Sequence, residues 1–164
     1  MIKINNLQKG EKMNVYIQNV FNCSARNLFE EVQKTENFFY VTRHLVRFVP
    51  RDCTVGTVWK DGAYLMNMYF LGFLPLGSQY IDIQLDKANM SVHDRGHSKL
   101  IPKWHHLIRI QEAGEAQALY SDCIDIDAGL LTLPVVLFAR CFFYYRYRRW
   151  KKFVNRRFGT GVVL

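Results

Sequence analysis

The 164-residue chain contains no acidic residue after Asp127. Its four cysteines, Cys23, Cys53, Cys123 and Cys141, show no paired spacing and no Cys-x-x-Cys. Free thiols in a reducing compartment are therefore expected rather than a disulfide framework. Met1 to Glu11 is polar and lacks the hydrophobic run of a signal peptide, which makes the cytoplasm the expected location. No Gly-x-Ser-x-Gly, His-Glu-x-x-His or P-loop pattern occurs, so no motif names a reaction. Internal repeats, low-complexity stretches and a convincing linker are missing too. The length fits a single domain. Its expected bounds are 13–158, after a polar lead-in over 1–12 and before a tail over 159–164.

What is present is globular: 49% hydrophobic and 22% charged residues, enough apolar surface for a core. Aromatic residues reach 15%, with twelve Phe and nine Tyr. Such side chains fill cores and also line ligand cavities. The net charge is +8 and is unevenly placed. Arg140, Arg146, Arg148, Arg149, Lys151, Lys152, Arg156 and Arg157 all follow the last acidic residue. Setting those eight aside leaves fourteen basic residues against fourteen acidic ones. The basic character belongs to the C-terminal segment alone.

Met13 to Phe21 alternates in part and predicts a first strand. Ser24 stands where an N-cap belongs, and Leu28, Phe29 and Val32 follow at helical spacing with Glu30 and Glu31 outward. This predicts a helix over Ala25–Lys34, and a second short one over Glu36–Val41. Strands are then predicted at Val46–Val49, Thr57–Trp59, Tyr64–Leu71, Gln79–Asp86, Met90–Asp94, Trp104–Ile110 and Ala118–Asp127. Gly72 to Gly77 punctuates them as a turn. Trp104, His106, Ile108 and Ile110 share one face. Tyr120, Ile124 and Ile126 oppose Ser121, Cys123, Asp125 and Asp127. Short connections imply an antiparallel meander. A long helix over Leu133–Phe158 carries the stripe Ala139, Phe143, Tyr147, Trp150, Val154 and Phe158, with Pro134 in its first turn. The expected class is α+β, six or seven antiparallel strands covered by the final helix.

Particular segments also resemble a known family. Val20-Phe21-Asn22-Cys23-Ser24-Ala25 leads into Leu28-Phe29. Gly56-Thr57-Val58-Trp59 runs through to Phe70-Leu71-Gly72-Phe73-Leu74-Pro75-Leu76-Gly77. Asp125-Ile126-Asp127-Ala128-Gly129-Leu130-Leu131-Thr132 is followed by Phe138-Ala139-Arg140 and Arg146-Tyr147-Arg148-Arg149-Trp150. Over roughly 13–154 these resemble the START and birch-pollen-allergen superfamily (SRPBCC, polyketide-cyclase-like), and a bacterial subgroup of it without an assigned activity. The resemblance implies a helix-grip fold, a curved sheet wrapped round the C-terminal helix. It also implies a cavity between the two for lipids, sterols or polyketides, in carriers or in enzymes. It supplies no catalytic residue.

Candidate residues divide into four groups. His93, His97, His105 and His106 fall close together, but adjacent residues on a strand point to opposite faces and the spacing makes no ligand set. Neither a metal nor a cofactor is expected. His106, on the face of Trp104 and Ile108, is a candidate polar group or general base in an apolar cavity, or else a core histidine with a partner. Arg140, at the edge of the apolar stripe, is a candidate clamp for a ligand anion, or pairs with Asp125 or Asp127, or reaches solvent. Trp59, Tyr64, Met66, Met68, Phe143 and Tyr147 are candidate cavity walls or ordinary core. Asp82, Asp86, Asp122, Asp125 and Asp127 are read as solvent-facing.

The basic helix is the fourth group. Phe138, Phe142 and Tyr145 are placed on the face of Arg148, Arg149 and Lys152. Such an apolar patch beside basic residues, extended by Arg156, suits an anionic membrane surface or a homodimer contact. A solvated face is the plain reading. The run is broken by Pro134 and Arg140, against a membrane span, and no nucleic-acid motif accompanies it. The sequence favours a non-catalytic binder of an apolar small molecule or lipid. A cyclase- or dehydratase-like enzyme using His106 or Arg140 is the alternative, and a membrane-associated or oligomeric protein the third.

Overall fold

The computed structural model describes residues 2–3, 13–51 and 54–159. Eight strands form one sheet: β1 (Ile2–Lys3), β2 (Met13–Phe21), β3 (Val46–Pro50), β4 (Gly62–Phe70), β5 (Leu74–Asp86), β6 (Ser91–Gly96), β7 (Lys103–Gly114) and β8 (Gln117–Asp127). Helices α1 (Ala25–Val32) and α2 (Thr35–Thr42) lie between β2 and β3 in the chain, and α3 (Thr132–Phe158) ends it. The sheet order is β1-β2-β8-β7-β6-β5-β4-β3, antiparallel throughout. Strands β3 to β8 are the expected meander. α1 and α2 carry the chain from β2 to the opposite edge at β3. With α3 packed against β2, β8 and α2, this is the expected helix-grip architecture. β1, two residues within the lead-in, is not predicted as a strand by the sequence; residues 1, 4–12, 52–53 (with Cys53) and 160–164 lie outside the described residues.

Local chemistry sets the elements. The Ser24 side chain accepts a hydrogen bond from the Asn27 amide at 3.2 Å and caps α1, satisfying one of the donors a helix start leaves open. In β4–β5, Leu71 and Gly72 both have positive φ, 50° and 85°, and reverse the chain in a turn shorter than the sequence suggests. β5 already begins at Leu74. Gly77, at φ 94°, then sits at a register shift in which Met68 pairs with Gly77 and Tyr69 with Pro75. Leu76 is the extra residue of that bulge.

Three expectations change. Thr57–Trp59 is not a strand: Val58 makes a single bridge to Lys34, and the Trp59 amide donates to the Gln33 carbonyl at 2.8 Å. Its partner is the bend between α1 and α2, which a three-residue pattern cannot reveal. Glu31 does not face outward. It is buried against Lys34, Asn37 and Arg157, because α1 is covered by α2 and by the end of α3. The strand predicted to end at Asp94 runs on to Gly96, its last residues paired with β7.

The inner face of α3 presents Val136, Ala139, Phe143, Trp150 and Val154, a three-to-four spacing that keeps one side on the sheet. The buried core has two parts. One, under α1 and α2, contains Leu28, Trp59, Ile108 and Trp150. The other, along the first half of α3, contains Val136, Ala139, Phe143 and Trp104.

Candidate functional site

A cavity of about 330 Å³ lies between the sheet and α3. Its walls draw on both parts of the core: Ile81 and Phe38 from one, Val46, Trp104, Phe142 and Phe143 from the other. Leu76, the bulged residue of β5, is part of the wall, so the bulge at Gly77 helps shape the space. Leu100, Leu131 and Pro134 lie toward solvent. In the other direction the cavity borders an inner void of about 40 Å³, lined by Trp59, Ile108 and Trp150. Asp94, His106 and Arg146 line both spaces.

Sheet register assembles this polar group. His106 on β7 pairs directly with Asp94 on β6 and with Ile124 on β8. Asp122, two residues from Ile124, points to the same face. His106 Nε2 lies 2.6 Å from Asp122 Oδ1, and the Tyr120 hydroxyl donates to the same oxygen at 2.9 Å. Burial holds the His106 imidazole below its ordinary pKa despite Asp122. Burial would raise Asp122, but hydrogen bonds from His106 and Tyr120 and the charge of Arg146 outweigh it and keep the carboxylate ionised. Burial pushes the Tyr120 phenol well up, so it stays a donor. A neutral His106 thus donates a hydrogen bond from its Nε2–H to Asp122 and keeps Nδ1 as a lone pair.

Asp94 is different. Burial pushes its carboxyl up to about 8, against the hydrogen bond it accepts from the Asp82 amide. Half-buried by area, it presents its remaining surface to the cavity. Gly96 permits the crowding there: a Cβ on it would meet Gln79 Nε2 and Tyr80 O at 3.0 Å and Asp94 Oδ1 at 3.2 Å. Arg146 enters from α3, 5% exposed, its guanidinium 4.8 Å from the Phe143 ring centre. Its Nε is buried with no hydrogen-bond partner, as is the indole nitrogen of Trp150.

Of the residues singled out in the sequence, the structure brings Met68, Trp104, His106 and Phe143 to the main cavity. Trp59 and Ile108 reach the inner void. Met66 is fully buried in the core. Tyr64 packs on Trp59 at 5.0 Å with its hydroxyl on the Lys60 backbone, and Tyr147 packs on Phe21 at 6.0 Å. These three line neither space.

Arg140 is half-buried and also lines neither; it follows Ala139 and so is turned about 100° away from the stripe. Arg146 is the arginine that reaches the cavity, and its position was legible: it follows Phe143 by three and Ala139 by seven. Asp122 is not solvent-facing but 2% exposed. It has the parity of Tyr120, Ile124 and Ile126, and only its charge argued for the other face. Asp94 carried no signal: it closes a predicted strand, and nothing local shows that a carboxyl there lines a cavity.

The basic helix also differs from expectation. Phe142 is buried beside Phe143 rather than on the face of Arg148. The Arg149 guanidinium sits 4.1 Å above the Tyr40 ring and donates to the Tyr40 carbonyl. Arg148, Lys151, Lys152 and Arg156 are exposed. The exposed leucines of this segment, Leu130, Leu131, Leu133 and Leu137, are at its other end, with Tyr144 exposed between; Leu133 is roughly 28 Å along the axis from Lys152. By length and composition alone the segment Gly129–Phe158 is apolar enough to cross a membrane.

Comparison with protein-family models and with curated proteins gives no match. Solved structures do match. A START superfamily protein from Mycobacterium smegmatis superposes with a TM-score of 0.61 at 12% identity, covering 88% of this chain and 98% of that one. A truncated norcoclaurine synthase from Thalictrum flavum gives a TM-score of 0.65 at 10% identity, covering 92% and 98%. A point mutant of that synthase with a transition-state analogue gives 0.68 at 7% identity, covering 90% and 96%. The chain has the START-like helix-grip fold. At these identities the likeness shows the fold of this START-like chain and transfers no site residue.

Proposed function

We propose that this START-like protein binds or carries a hydrophobic small molecule or lipid between the sheet and α3. The observation that supports the reading is the cavity itself, about 330 Å³ and walled mostly by apolar side chains. A filled core packs to near-crystalline density and leaves no such space, and the volume falls in the range of small-molecule sites. The test is native mass spectrometry with solvent extraction of the purified protein, then titration with 1-decanol. A discrete bound mass or a 1:1 adduct is expected, and Met68→Trp, which adds bulk at the wall, should weaken decanol binding about tenfold or more. No adduct with decanol, fatty acids, sterols or aromatic polyketides would overturn it.

A second reading, a cyclase- or dehydratase-like enzyme, is favoured by one feature. Asp122 orients His106 at the cavity wall and leaves Nδ1 as a base, the arrangement proton abstraction requires. Turnover of an extracted ligand that vanishes in His106→Ala would carry this reading, and equal turnover in the two proteins would remove it.

Contact with an anionic membrane through Arg148, Arg149, Lys152 and Arg156, or a homodimer, is a third reading. Its support is the exposed Arg148, Lys152 and Arg156 for the membrane and the exposed leucines at the start of α3 for a homodimer. Absence of co-sedimentation with anionic liposomes at low salt, with a monomeric mass in solution, would remove it.

A further inference from the structure

Arg146 poses a question that an apolar cavity does not answer. A buried cation costs several kcal/mol unless something pairs with it. Its charge acts on the Asp94 and Asp122 carboxyls, but its Nε is buried with no hydrogen-bond partner. The guanidinium rests on the ring of Phe143 at 4.8 Å and near that of Phe142 at 5.9 Å. Aromatic faces offset part of the desolvation but accept none of its N–H groups in a directed bond. Asp122 Oδ1 is already engaged by His106 and Tyr120. Asp94 Oδ1 accepts from the Asp82 amide. Trp150, which shares the inner void with Arg146, carries a second buried donor without an acceptor. The inner end of the cavity thus holds two buried donors without hydrogen-bond partners, Arg146 Nε and Trp150 Nε1, beside the Asp94 carboxyl and within reach of the charge of Asp122.

We infer that the cavity takes an amphipathic monocarboxylate, its carboxylate seated on Arg146 and its apolar body running past Phe143 and Met68 toward Leu131. This rests on the binding reading proposed above and names the ligand class. A single guanidinium matches a single planar anion through two parallel N–H···O bonds. The site carries its own control. Asp94 lies opposite His106 and near Asp82 and Arg146, the arginine that also acts on Asp122 and Tyr120, and burial pushes its carboxyl up to about 8. Protonated, it adds no charge beside the ligand. Ionised, it competes for Arg146 and repels the carboxylate. Affinity for the anion therefore falls as pH rises through about 8.

The experiment compares three probes with one chain and different heads, decanoate, 1-decanol and decylammonium, by calorimetric titration of the intact protein between pH 6 and 9. Decanoate should bind about tenfold or more tighter than decanol at pH 7, with decylammonium weakest. Decanoate should weaken toward pH 9 while decanol does not, and Asp94→Asn should abolish that weakening. Arg146→Gln should remove the preference for decanoate and keep decanol binding. Arg146→Lys, checked for a native melting transition, should restore part of the preference if the glutamine variant does not fold. Decanol binding as tightly as decanoate in the unaltered protein would overturn the carboxylate assignment and leave the binding reading standing. Binding of none of the three would overturn both.

Discussion

At the scale of single residues, the fold moves three titratable groups away from their ordinary pKa values, with opposite consequences for stability. His106 is kept neutral by burial, below its ordinary 6.5. The unfolded chain then takes up the proton first, and stability is lost as pH falls below about 6.5. Asp122, held below 3.8, acts in the same sense further into acid. Asp94 acts the other way. Its folded form keeps a proton up to about 8 while the unfolded carboxyl releases it near 3.8, so stability falls as pH rises between the two. Asp94→Asn should therefore stabilise the unliganded protein, by an amount that grows from pH 4 to pH 8 and reaches on the order of a few kcal/mol. Melting curves of the two proteins across that range check it, and a constant gap would contradict the assignment. Asp122→Ala should cost about 2–4 kcal/mol in denaturant unfolding at pH 7, since it strands the Tyr120 hydroxyl and the His106 N–H together.

The same logic operates between elements. Glu31, in the last turn of α1, accepts hydrogen bonds from Lys34 at 2.9 Å and Asn37 at 2.8 Å, and makes a longer contact of 3.5 Å with Arg157 of α3. Burial opposes its charge, but these partners hold its carboxyl below 4.5. The stabilisation is present above about 4.5 and is lost as pH falls through the lowered value. Glu31→Ala should cost about 1–3 kcal/mol at pH 7. Arg157→Ala should cost well under 1 kcal/mol, because that arginine is mostly exposed. Denaturant midpoints of the two variants separate the buried contact from the exposed one. The elements themselves were largely legible: α1 from Ser24 and its apolar spacing, β5 and β8 from alternation, α3 from its stripe. Glu31 was not, because a charged residue on a short helix looks solvated until a second and a third element cover it.

For the whole molecule, the cavity trades packing for binding. A site that is occupied only in the folded state stabilises that state by mass action. Decanoate at a hundred times its dissociation constant should add about 2.7 kcal/mol. For a chain of this length that is a rise in Tm of roughly 5–10 °C. Differential scanning calorimetry at increasing decanoate checks the size and the logarithmic dependence on concentration. A flat Tm would contradict the seated carboxylate. Arg146→Gln should gain less from decanoate than the unaltered protein does, because the seat of the carboxylate is then lost.

The sequence by itself determined the element order, the antiparallel meander and the covering helix, because periodicities of 2 and 3.6 are written directly in apolar positions. It also placed Trp104, His106, Met68 and Phe143 on inward faces. Only the tertiary structure decided which polar residues those faces enclose. Asp94, Asp122 and Arg146 come from β6, β8 and α3, and charge read locally assigned Asp122 to solvent. Whether such a group is surface or site depends on strand register and on where α3 crosses the sheet. Those are fixed by packing the whole core and not by any one segment.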